Sequence, residues 1–131
     1  MKLVIGGCAQ GKLQYALQKY QLKEKQVWDA ILPTQKDIRN DLSKETIVIY
    51  HFHEWIRRRL SEGGCPEEEV EAFLDRCTDC VIICDEIGNG IVPIAAFERE
   101  YRERTGRILI QLAQKAEEVE RVICGIGQKI K

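Results

Sequence analysis

Lys2-Leu3-Val4-Ile5-Gly6-Gly7-Cys8-Ala9-Gln10-Gly11-Lys12-Leu13 is the stretch whose reading decides the fold. A short apolar run suited to a buried parallel strand stops at two glycines. A third glycine and a lysine follow at the spacing of a phosphate-binding loop, and a helical pattern begins at once. The glycines let backbone N–H groups wrap around phosphate oxygens, and Lys12 supplies a mobile cation for the outer phosphates. The following helix adds the positive end of its dipole. Gly6, Gly7, Cys8, Ala9, Gln10, Gly11, Lys12 and Leu13 are therefore the expected nucleotide-binding residues. One position departs from the motif, because Leu13 stands where Ser or Thr would present a hydroxyl to Mg²⁺. Leu13 instead joins Ala16, Leu17 and Tyr20 in an apolar helical stripe. A glycine-rich strand-to-helix turn that holds no ligand is the alternative.

Working outward, the 131 residues are expected to form one domain, 1–131. With 44% hydrophobic and 31% charged residues, the composition is that of an ordinary globular protein rather than a disordered one. A net charge of −1 gives no sign of a nucleic-acid or anionic-membrane partner. The basic run Arg57-Arg58-Arg59 falls on a predicted helix and reads as a solvated face. No apolar run is long enough to span a bilayer and no signal-like segment is evident, so a cytoplasmic location is expected. Of the six cysteines, Cys80, Cys84 and Cys124 sit in or beside apolar runs, where a thiol behaves as a small hydrophobe. Cys77 and Cys80 have C-x-x-C spacing, but no second ligand pair stands at a usual zinc spacing.

Along the chain, Val27 to Leu32 reads as a strand or a buried turn, and Thr34 can cap a brief helix through Leu42. Thr46 to Tyr50 is β-branched and suits a central parallel strand. His51 and His53 follow at its carboxyl end, where open α/β sheets place their ligand crevice. Either histidine could touch substrate; equally, they could simply end the strand and start a helix that buries Phe52, Trp55, Ile56 and Leu60. Gly63-Gly64 should end that helix and Pro66, backed by three glutamates, should start the next. Val81 to Glu86 reads as an apolar strand ending in two acids. A carboxylate at the tip of a strand next to a phosphate loop holds Mg²⁺ or activates a nucleophile, which makes Asp85 a candidate metal ligand and Glu86, with Lys12, a candidate catalytic residue. Gly88-Asn89-Gly90 forms a loop before Pro93, and a long helix from about Ile94 to Ala116 follows, interrupted at Gly106 by close packing or ligand approach. Val119 to Cys124 reads as another strand, with a turn over Gly125-Ile126-Gly127.

The string Asp85-Glu86-Ile87-Gly88-Asn89-Gly90-Ile91-Val92-Pro93 is far more specific than a phosphate loop alone. With Tyr101-Arg102-Glu103, Gly106-Arg107, Glu118-Val119 and Gly125 to Lys131, it resembles the bifunctional adenosylcobinamide kinase / adenosylcobinamide-phosphate guanylyltransferase family of cobalamin biosynthesis. The loop Gly6 to Lys12 is similar to that family's phosphate loop. The resemblance implies a three-layer α/β fold of the P-loop NTPase type, with a mostly parallel sheet flanked by helices. It also implies a homotrimer, Mg²⁺, and phosphoryl transfer from ATP or GTP to an adenosylcobinamide hydroxyl, with Gly88, Gly90 and Pro93 shaping a substrate loop. The family's second step passes GMP through a histidine that precedes the strand matching Thr46 to Tyr50. This chain is shorter there and has no histidine before His51, which leaves that route without its acceptor. Tyr50-His51 stands at a strand end where the family tends to carry an acid, and Leu109-Ile110 replace polar helix residues. The readings that remain are a reduced kinase of this family, a catalytically degenerate nucleotide-binding or assembly module derived from it, and a kinase for some other hydroxyl substrate.

Overall fold

The computed structural model describes residues 1–39, 45–88 and 90–131; Leu42, the expected end of the brief helix, and Asn89 in the glycine loop lie outside them. Strand β1 (Lys2–Gly6) leads through the glycine loop into helix α1 (Lys12–Lys19). Strand β2 (Val27–Asp29) resolves the ambiguous segment as a short strand, and helix α2 (Gln35–Arg39) follows it. Thr34 caps α2 reciprocally with Asp37: the Thr34 N–H donates to the Asp37 carboxylate at 2.7 Å and the Asp37 N–H donates to the Thr34 hydroxyl at 3.3 Å. Next come β3 (Ile47–Tyr50), α3 (Phe52–Ser61), α4 (Pro66–Arg76), β4 (Cys80–Asp85), α5 (Ala96–Lys115), β5 (Glu118–Ile123) and β6 (Ile126–Lys129).

The strands form one six-stranded sheet in the order β2-β3-β4-β1-β5-β6, parallel except for β6. Side chains alternate across it, as strand geometry requires. Leu3, Ile49 and Ile82 bury on the face covered by α3, α4 and α5, while Val4, Val48 and Val81 bury against Ala16 and Leu17 of α1. Helices therefore cover both faces, giving the three-layer α/β architecture in which near-continuous apolar strands are expected. Phe52, Phe73 and Ile56 are fully buried between the sheet and its helices.

Three expectations need correction. Helix α5 runs without a break through Gly106, and a β-carbon there would meet nothing within 4 Å, so close packing within the chain does not explain the glycine. The last turn is Cys124-Gly125 rather than Gly125 to Gly127, with φ of 49° and 74°. Two successive left-handed residues make the tight turn that suits strand twist, so the last residues return as the antiparallel strand β6, pairing Ile126 with Ile123. Arg57-Arg58-Arg59 is not simply a solvated face. Arg57 lies over the Tyr101 ring at 5.2 Å and pairs with Glu98, tying α3 to α5, and Arg59 donates to Glu69 of α4 at 2.8 Å.

Helices α4 and α5 are joined by a bidentate pair in which Arg104 donates to Glu67 at 2.8 and 2.7 Å. The Arg104 guanidinium holds the Glu67 carboxyl below its ordinary range. A depressed folded value means that this stabilisation is present above the usual glutamate range and is lost as pH falls through the folded value. Urea unfolding should therefore show stability declining on acidification, with a shallower decline in Glu67→Gln; an unchanged slope would contradict the assignment. Gly106→Ala should stabilise the protein by about 1 kcal/mol, since alanine is the better helix former and the site has room. A lowered urea midpoint would show that the glycine serves some contact.

Candidate nucleotide site

The register of the two central strands puts Gly6, the last residue of β1, beside Asp85, the last residue of β4. The chain then turns back over the carboxyl edge of the sheet into α1. Ala9 and Gly11 take positive φ of 54° and 82°, which curls the loop. Its crest is fastened to the β5–β6 turn, because the Gln10 side-chain oxygen accepts the Cys124 N–H at 2.7 Å and the Gln10 carbonyl accepts the Gly125 N–H at 2.8 Å. No side chain caps the start of α1, so its first-turn N–H groups remain available to an anion.

Loop and strand tips enclose an open cleft of about 310 Å³, a size suited to a small ligand. Cys8, Ala9, Gln10, Gly11, Lys12 and Leu13 form one wall, with Gln14 behind them, and Tyr50, His51 and Asp85 form the other. Lys12 is buried at this boundary, with Nζ 2.6 Å from Asp85 Oδ1 and donating to the Gly7 carbonyl at 2.5 Å. A buried ammonium needs a counter-charge, and Asp85 supplies it.

The two histidines separate in role. His53 is buried, and its Nδ1 accepts the Asp85 backbone N–H at 3.1 Å. The ring proton is therefore on Nε2, which lies 3.5 Å from Asp85 Oδ2 and from Glu54 Oε1. Burial pushes the His53 pKa down, and the Tyr101 hydroxyl donates to its carbonyl at 3.0 Å. His53 thus holds the end of β4 in place. His51 lines the cleft, and its Nδ1 lies 2.6 Å from Asp29 Oδ1. Asp29 escaped notice in the sequence because its segment was too short and ambiguous to be placed as a strand. Only its pairing in β2, register partner of Tyr50, brings it to the carboxyl edge.

Other candidate residues lie apart from the cleft wall. Glu86 accepts two hydrogen bonds from Arg121, at 2.7 and 3.0 Å, while its N–H donates to the Gly6 carbonyl at 2.8 Å. Gly88 and Gly90 have φ of 109° and 106°, and Arg102 gathers this loop by donating to the carbonyls of Gly88, Gly90 and Ile91. With Pro93, Glu98 and Tyr101, the loop borders a separate cleft of about 230 Å³, again of small-ligand size. Leu13 packs against the apolar cluster beneath α1 and offers no oxygen to a cation. Asp85 is the carboxylate in the main cleft, and one carboxylate with phosphate oxygens and water is an ordinary magnesium environment, so the residues fit that ion. Cys80 is buried with Sγ 3.7 Å from the Cys77 carbonyl, and among the described residues no group of three or more His, Cys, Asp or Glu is arranged to hold a metal. No helix among the described residues is long and apolar enough to cross a membrane.

A family model described as cobinamide kinase / cobinamide phosphate guanyltransferase matches residues 26–130. The match takes in β2 to β6 and leaves the glycine loop outside it. Two bifunctional adenosylcobalamin biosynthesis proteins CobU are similar over part of their length. That of Escherichia coli strain K12 is 40% identical over 67 residues, covering 48% of this chain and 37% of the relative. That of Salmonella typhimurium strain LT2 is 38% identical over 69 residues, covering 50% of this chain and 38% of the relative.

A β-carbon on Gly6 would stand 2.5 Å from the Val122 carbonyl oxygen, a backbone atom that cannot swing aside. Gly6→Ala should therefore destabilise the protein by about 1–3 kcal/mol in urea unfolding, the usual cost of overpacking. A midpoint equal to wild type would show that β1 and β5 are not held this tightly.

Proposed function

The chain belongs to the cobinamide kinase / cobinamide phosphate guanyltransferase family, and on that premise we propose that it binds ATP or GTP at Gly6 to Leu13 and transfers the terminal phosphoryl group to an adenosylcobinamide hydroxyl. The observation carrying this reading is the convergence of Lys12 and Asp85 under the glycine loop, at the carboxyl edge of two parallel strands. The loop N–H groups and the start of α1 bind the phosphates. Lys12 exchanges its Asp85 partner for phosphate oxygens and stabilises the charge that spreads over the transferring group. Asp85 would hold magnesium, which offsets phosphate charge when bound. Glu86 fixes the end of β4 against β5 through Arg121, keeping Asp85 in register. The Gly88–Pro93 loop, gathered by Arg102, receives the acceptor.

A second reading rests on Leu13. With no hydroxyl after the loop lysine, the protein would bind nucleotide without turning it over, serving as a binding or assembly module. The chain spans less than two fifths of the length of either relative, so acceptor and assembly belong to the proposal rather than to the family match. The matched relatives are named as bifunctional proteins, and the guanylyl step is not proposed for this chain.

Incubation with γ-labelled ATP or GTP, Mg²⁺ and adenosylcobinamide should place label on the corrinoid. Lys12→Ala should lower kcat by about 100-fold or more, as expected for losing a preorganised charge at the transferring group. Folded wild-type protein that binds nucleotide equally with and without Mg²⁺ and transfers no label would establish the binding module instead.

A further inference from the structure

The phosphoryl-transfer reading leaves one chemical task without a residue: the acceptor hydroxyl must lose its proton as its oxygen attacks. Lys12 is a cation, and Asp85, once Lys12 turns to the phosphates, is the carboxylate assigned to magnesium. Tyr50 has its pKa raised, chiefly by burial, and so stays protonated. His51 also lines the cleft and is held differently. Its Nδ1 lies 2.6 Å from an Asp29 carboxylate oxygen, so the proton of the neutral ring sits on Nδ1 and the lone pair on Nε2. The ring stacks on Tyr50 at 3.7 Å and meets the edge of His53 at 5.7 Å.

A purely structural account of this dyad is weak. Strands β2 and β3 are already joined by their ladder, and the Ala30 N–H donates to the Tyr50 carbonyl at 2.8 Å just beyond it. The Asp29 and His51 side chains are 64% and 37% exposed, too wet for their pairing to add much stability. His51 also stands at the N-cap of α3 with φ of 52°, a conformation that a non-glycine residue adopts at a cost, yet its side chain caps nothing. A strained residue, oriented by a carboxylate and set in the phosphate cleft, fits a chemical role better.

We infer that His51 is the general base of the reaction and that Asp29 is its positioning residue. The inference rests on the phosphoryl-transfer reading. The acceptor hydroxyl proton passes to His51 Nε2 as the acceptor oxygen bonds to the terminal phosphorus. The bond from that phosphorus to the bridging oxygen breaks, and its electron pair leaves with the nucleoside diphosphate. The charged and titratable groups facing the ring are Asp29 from β2, Tyr50 from β3 and His53 from α3, with Cys8, Lys12 and Asp85 in the cleft.

The test compares wild type, His51→Asn and Asp29→Asn in label transfer to adenosylcobinamide between pH 5 and 9, with nucleotide affinity measured alongside. Asparagine tolerates the left-handed backbone of position 51 and cannot act as a base. The wild-type rate should fall on the acid side as an imidazole takes up a proton. His51→Asn should lower kcat by about 100-fold or more and abolish that limb, with nucleotide affinity unchanged. Asp29→Asn should lower kcat by about tenfold or more and leave KM near wild type, because its effect is on the ring's orientation and tautomer. Should His51→Asn fail to fold, the split between kcat and KM in Asp29→Asn decides. Active wild type with an unchanged kcat and acid limb in the folded variants would overturn the base assignment while leaving the kinase reading intact. Label found on the protein itself, labile to acid and lost in His51→Asn, would make His51 a covalent acceptor and equally overturn it. Wild-type protein that transfers no label would bring down the kinase reading and this inference with it.

Discussion

The Lys12–Asp85 ion pair joins the two central strands of the sheet at the point where the chain turns into α1, and much of the structure serves to hold it. The pair exists because Gly6 and Asp85 end parallel strands in register, and because the chain after Gly6 curls back over both tips. That curl needs glycine for two reasons. Gly6 lies against the Val122 backbone with no room for a side chain, and Gly11 takes a left-handed conformation. Gln10 fastens the crest to the β5–β6 turn, and His53 fastens Asp85 from the other side. A buried ammonium balanced by one carboxylate is expensive unless it is well placed, and each of these contacts limits how far the pair can move.

The fold was largely legible because its signals were local. Four apolar runs of strand length, each followed by turn residues or a helical pattern, require a parallel sheet with helices on both faces, and the proline and glutamates at the start of α4 mark their helix by capping chemistry alone. Failures arose where a local signal had more than one cause. Gly106 looked like a break, yet a twenty-residue helix packed along Tyr101, Ile108 and Leu112 tolerates one poor helix former. Strand β6 was hidden because its alternation is weak and its turn uses Cys124 at positive φ, a residue without a turn signature.

Site legibility divides along the same line. Gly6 to Leu13 and Asp85 stood out because motif and strand tip are each contiguous in sequence. Asp29 did not, since its importance comes from meeting a histidine twenty-two positions away through the pairing of β2 with β3. The tie between Gln10 and Cys124 is longer still and has no sequence signature. The family match covers residues 26–130, so the glycine loop is supported by its own geometry rather than by that match. Within the cleft, Leu13 supplies packing where the motif would supply a hydroxyl, and Tyr50, His51 and Asp85 form the opposite wall.

The central claim is that the Lys12–Asp85 pair marks a phosphate site, and a crystal structure with a non-hydrolysable ATP or GTP analogue and Mg²⁺ tests it most directly. The account predicts the terminal phosphates within the curl of Cys8 to Leu13, with Lys12 Nζ moved from Asp85 onto phosphate oxygens. Nucleotide bound elsewhere, or an intact Lys12–Asp85 pair with no phosphate in the loop, would contradict it.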